Sequence, residues 1–157
     1  MAWSNSKIFM ALFEDTLENT TAMDLNADTF KAALYDNDIT PDQTVSAANT
    51  AYNAGQWTAS GNEVTDGTNW DTAGEPLTSV TSAFSSNVYT FDAANTPQSG
   101  ASCTLANVYG CLVYDDTIAS PVADQGVSFH YFGGAQSVTG GTFTIVWNAS
   151  GIFTITA

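Results

Sequence analysis

The chain contains no arginine, two lysines (Lys7 and Lys31), one histidine (His130) and two cysteines (Cys103 and Cys111), against sixteen carboxylates. Catalytic and phosphate-handling sites draw heavily on these scarce side chains, so few site chemistries remain open. A net charge of −14 repels a polyanion, because phosphate binding needs clustered Lys or Arg to displace counterions, and it also disfavours an anionic membrane surface. Neither nucleic acid nor a membrane is an expected partner. No apolar run approaches the roughly eighteen residues of a membrane span. The opening Met1-Ala-Trp-Ser-Asn-Ser-Lys lacks the basic region and apolar stretch of a secretion signal, which suggests a product made in the cytoplasm.

Zinc is excluded on spacing, since two cysteines and one distant histidine match no standard ligand set. Cys103 and Cys111 either close a short disulfide loop or, in a reducing compartment, stand as two small buried thiols. A Ser-His-Asp hydrolase would need His130 beside an activated serine, and no Gly-x-Ser-x-Gly elbow occurs. In Val127-Ser-Phe-His-Tyr-Phe, His130 shares a strand face with Ser128 and Phe132, which favours a hydrogen-bonded strand histidine. Gly133-Gly134 and Gly140-Gly141 read as strand-end turns without the strand-loop-helix setting that holds phosphate.

What is present is apolar and aromatic. Hydrophobic residues make up 44% and aromatics 12%, enough for a core in a single domain spanning 1–157. The expected fold is mainly β: an antiparallel β-sandwich or barrel with jelly-roll or Greek-key-like wiring, preceded by an amphipathic N-terminal helix. Residues 1–22 form the helical arm and 23–157 the body. In the arm, Ser4 or Ser6 would cap a helix over 4–20, with Ile8, Phe9, Leu12, Phe13 and Leu17 on one side. That helix either lies across the sheet or docks on a neighbouring subunit.

The body begins with alternation, Phe30, Ala32 and Leu34 facing one way and Lys31, Ala33 and Tyr35 the other. Pro41 would open a short helix running to about Asn53. The stretch 53–76, rich in Gly, Asn, Asp and Thr, reads as a long surface excursion and the place for a partner contact. Strands follow at 77–84, 88–92, 105–114 and 127–132, the last stopping at Gly133-Gly134. A C-terminal hairpin joins 142–147 to 152–156.

Paired carboxylates bear on glycosidase chemistry, which needs only two. Glu14/Asp15, Asp36/Asp38 and Asp115/Asp116 fall on a solvated helix face or in turns, and nothing marks one as buried. Calcium suits the same groups better. Asp36, Asp38 and Asp42 offer oxygens in one loop, Asp66 and Asp71 a second set, though neither matches a helix-loop-helix site and turn chemistry explains both. No other cofactor is expected. Among the tryptophans, Trp147 belongs to a strand and the core. Trp3, Trp57 and Trp70 fall in apparent loops; with Phe9 and Phe13 they are the candidate interface anchors, and Trp57 with Trp70 offers an alternative sugar platform.

Four stretches, taken together, resemble a family of small virion proteins of tailed bacteriophages: the opening Trp-Ser-Asn-Ser-Lys, Asp24-Leu-x-x-Asp-Thr-Phe-Lys-Ala-Ala-Leu-Tyr, Asn107-Val-Tyr-Gly-Cys-Leu-Val-Tyr-Asp-Asp, and the closing Gly-Thr-Phe-Thr-Ile-Val-Trp-Asn-x-x-Gly-Ile-Phe. The resemblance implies a non-enzymatic part of the particle, made in the host cytoplasm and carried in the virion. A capsid decoration protein, homo-oligomeric (a trimer at threefold positions) and bound to the major capsid protein, is the first expectation. A tail-tube, tail-tip or fibre-associated subunit is the second, and a carbohydrate-binding sandwich the third.

Overall fold

The computed structural model describes residues 3–157. Strands account for 37% of the chain and helix for 8%, all pairing is antiparallel, and the protein is mainly β. In chain order the elements are β1 (Lys7–Ile8), α1 (Met10–Glu18), β2 (Phe30–Tyr35), α2 (Ala47–Thr50), β3 (Glu75–Pro76), β4 (Thr81–Ser85), β5 (Val88–Asp92), β6 (Thr96–Pro97), β7 (Cys103–Asp115), β8 (Gly126–Gly141), β9 (Thr144–Ile145) and β10 (Phe153–Thr156). A five-stranded sheet runs β1-β8-β7-β2-β3, a three-stranded sheet runs β10-β5-β4, and β6 pairs β9 in a small ribbon. The sheets pack as in a sandwich; no barrel closes among the described residues.

The alternation in β2 organises the core. Phe30, Ala32 and Leu34 enter one apolar cluster with Cys111, Val113 and Val127 of the large sheet, and with Phe91 and Phe153 of the small one. Phe30 meets Phe91 edge-on, ring centres 5.2 Å apart, at the seam between the sheets. Ala33 and Tyr35 point the opposite way, into a second cluster with Trp3, Phe9, Trp57, Leu112 and Phe129. Both faces of the central sheet are therefore covered: one by the small sheet and α1, the other by the chain start and the stretch after β2.

Several boundaries differ from the sequence reading. The N-terminal helix begins at Met10, not Ser4, because Lys7 and Ile8 pair with Phe129 and Ser128 as an edge strand. Ser6 is no cap; its Oγ accepts from the Tyr131 amide at 3.0 Å. Asn19, in the left-handed conformation, ends the helix with its N–H on the Asp15 and Thr16 carbonyls. The helix after Pro41 shrinks to four residues. β8 continues through Gly133-Gly134, its register with β7 broken by bulges. β9 and β10 form no hairpin with each other: β9 joins β6, and β10 joins β5. The 85–87 turn is as expected, Ser86 and Asn87 both having positive φ as a tight two-residue turn demands.

Candidate interaction surface

The tryptophans cover the sheet instead of reaching outward. Trp3, Trp57 and Trp70, with Phe9, are fully buried, so four of the five expected interface anchors are internal and the Trp57/Trp70 sugar platform is lost. The Trp57 ring stands edge-on to Tyr35 at 5.1 Å, to Trp3 at 5.9 Å and to Phe9 at 6.0 Å. The Tyr35 hydroxyl donates to the Trp57 carbonyl at 2.7 Å. The physical reason is the two-sided hydrophobicity of β2: a sheet apolar on both faces needs a second cover, and the polar-looking stretch 53–76 supplies it. Trp70 enters the cluster on the other face, its backbone N–H and those of Thr68 and Asn69 held by the Asp66 carboxylate. Those bonds, led by the one from Trp70, pull the Asp66 pKa well below the ordinary carboxylate range.

Turn chemistry also claims the calcium candidates. The Asp36 carboxylate accepts from the Asp38 amide at 2.9 Å, and Asp42 from the Thr44 amide and hydroxyl at 2.8 and 2.7 Å. Among the described residues no three His, Cys, Asp or Glu side chains come together as a metal site, so Asp36, Asp38 and Asp42 do not converge. Cys103 and Cys111 are two free buried thiols, which decides between the two readings above. His130 is paired as its strand position suggests: Ser128 Oγ lies 2.9 Å from Nε2 and Trp147 packs edge-on against the ring. Burial pulls the imidazole down to about 4, leaving it neutral near pH 7.

Asp115 departs from expectation, for it is completely buried at the end of β7. One oxygen accepts from the Thr117 and Ile118 amides at 2.8 and 3.3 Å; the other has no donor among the described residues. Burial, with the nearby Asp28 carboxylate, pushes the Asp115 pKa up. The pair stands where two turns meet, since the Thr29 amide donates to Thr117 Oγ1 and the Asp116 amide to the Thr29 carbonyl, both at 2.8 Å. The Thr29–Thr117 and Thr29–Asp116 bonds pin the end of the 24–29 turn to the loop after β7. Beside them Lys31 forms a 2.9 Å ion pair with Asp116.

An accessible apolar surface lies elsewhere, between α1 and the small sheet. Phe13, the remaining anchor candidate, lines a groove of about 360 Å³ together with Leu17, Leu25, Tyr89 and Ile155. A second hollow, of about 440 Å³, continues it past Leu25 and Tyr89 to Ser82 and Asp24. The register explains the feature. Ser82, Phe91 and Phe153 form one cross-strand row; Phe84, Tyr89 and Ile155 form the next on the same face. The first row packs into the core through Phe91 and Phe153, while the second overhangs it. Phe84 is 68% exposed and Ile155 37%, and across the groove Leu17 is 85% exposed.

The apolar spacing puts Leu17 on the same side of a longer helix as Leu12 and Phe13, and does not single out Phe84, Tyr89 or Ile155. The alternation Ser82-x-Phe84 against Tyr89-x-Phe91 held the signal, but only the register shows that the core reaches one row and not the next. Comparison with protein-family models, with curated proteins and with solved structures finds no match.

Proposed function

We propose that this protein is a non-enzymatic structural component of a tailed-bacteriophage particle, a decoration protein bound to the outside of the head. The apolar groove between α1 and the β10-β5-β4 sheet carries the reading, because it is an accessible apolar contact surface in a chain whose Trp3, Phe9, Trp57 and Trp70 are committed to its own core. The resemblance in the four stretches quoted above supports the same role, as does the scarcity of Arg, Lys, His and Cys. In this reading the protein is made in the host cytoplasm, assembles as a homo-oligomer and bridges subunits of the major capsid protein against the pressure of the packaged genome. Burial and strand-edge pairing supply the binding energy, with carboxylates placed to meet shell cations.

Electron cryo-microscopy of purified particles of the parent phage tests this. Ordered density for many copies over the head is the expected result, together with a higher melting temperature of empty heads once the protein is added. Density confined to the tail would reassign the protein to a tail subunit, and absence from the particle would refute the proposal.

A further inference from the structure

The groove has a chemical asymmetry that bears on what fills it. Its floor and walls are apolar: Phe13 and Leu17 on α1, Leu25 on the following turn, Tyr89 and Ile155 on the sheet. Its charged surroundings are of one sign only. α1 carries Glu14 and Glu18 exposed beside Phe13 and Leu17, and Asp24 lines the continuation of the hollow. No lysine lines either part; Lys31 is held by Asp116, and Lys7 lies on the edge strand β1.

An apolar trough bordered by carboxylates favours an occupant with apolar side chains flanked by positive charge. It disfavours a second copy of this chain, whose own net charge is −14 and whose matching groove is bordered by the same acids. The size suits the apolar side chains of a short segment, the groove of about 360 Å³ being continued by the hollow of about 440 Å³.

We infer that the groove between α1 and the β10-β5-β4 sheet is the docking site for a short amphipathic segment of a partner protein, apolar on one side and bearing Lys or Arg at its flanks. Leu17, Phe13, Tyr89 and Ile155 grip the apolar side, and Glu14, Glu18 and Asp24 hold the basic flanks. That the segment belongs to a capsid subunit rests on the particle reading above; the chemistry of the groove does not.

The test titrates the full chain, labelled for NMR, with a synthetic amphipathic peptide of Leu and Lys and with its Leu/Glu counterpart. The expected result is saturable binding of the Leu/Lys peptide, with shifts confined to α1, the following turn, β5 and β10, and no binding of the Leu/Glu peptide. Leu17→Asn combined with Ile155→Asn, at exposed positions that leave the core intact, should weaken binding about ten-fold or more. Glu14→Gln with Glu18→Gln should weaken it less and flatten its salt dependence. Binding unchanged in the Leu17/Ile155 variant would reduce the effect to general attraction to an acidic protein and overturn the inference. So would equal binding of the Leu/Glu peptide, or concentration-dependent dimers lost in the same variant, which would make a second copy the occupant. Empty heads separate the two proposals. Heads that bind wild type and the Leu17/Ile155 variant alike remove the groove but leave the particle reading; groove-specific peptide binding without head binding does the reverse.

Discussion

Gly110 shows how tightly the second core is built. A Cβ there would stand 2.6 Å from the Trp3 ring and collide with the His130 carbonyl, so Gly110→Ala must displace either the indole or the neighbouring strand. We expect it to lower stability by about 1–3 kcal/mol, measurable by chemical denaturation. Trp57→Ala should cost more, about 3–5 kcal/mol, because it empties the centre of an aromatic cluster. If instead it left stability intact and abolished binding to a partner, Trp57 would be an interface residue after all. Asp115 makes its own prediction. Its folded pKa is raised, so its contribution is fully present below the unfolded carboxylate value near about 4 and is lost as pH rises toward neutrality. Relative to wild type, Asp115→Asn should therefore gain stability between acidic and neutral pH. His130 runs the opposite way: its folded pKa is depressed, so its contribution is present above about 6.5 and lost as pH falls toward 4. His130→Gln should gain on wild type in acid. Thermal melts of the three proteins across that range would check both signs.

Among the elements, α1 is tied to the start of β8 by one buried side chain. Gln125, fully buried, donates through Nε2 to Asp15 Oδ2 at 2.7 Å and accepts from Thr21 Oγ1 at 3.3 Å. Gln125→Ala strands both partners and should cost about 1–3 kcal/mol, with hydrogen exchange accelerating first in α1. The same helix marks where the sequence was legible and where it was not. The apolar spacing at Leu12 and Phe13 correctly signalled a helix, but strand pairing at Lys7 and Ile8 shifted its start, and the faces moved with it. Alternation in β2 was readable because each face meets a large cluster. The 53–76 stretch was misread because its Gly, Asn and Asp describe its turns, while its purpose depends on two tryptophans whose destination is the sheet. Phe13 alone of the expected anchors reaches an accessible surface, and the rest of that surface was hidden because exposure of Phe84 and Ile155 depends on how far one sheet overlaps another.

At the scale of the whole molecule, charge governs behaviour in solution. With a net charge of −14 and one ion pair among the described residues, self-repulsion opposes compaction at neutral pH. The melting temperature should rise from about 0.01 M to about 1 M salt, as the Debye length shrinks from about 30 Å to about 3 Å. That response should fade near pH 4.1, where the charge is neutralised. The long reach of the contacts has a consequence in time. Ser6 bonds to the Tyr131 amide 125 positions away, β1 pairs with β8, and Trp3 stacks on Tyr131. A nascent chain emerging from the ribosome therefore lacks the Phe129 and Tyr131 side of the seat for Trp3 and Phe9 until β8 has been synthesised, so its second core cannot be completed before then. The acidic character that opposes compaction then serves another purpose: it keeps the unfinished chains apart while they wait.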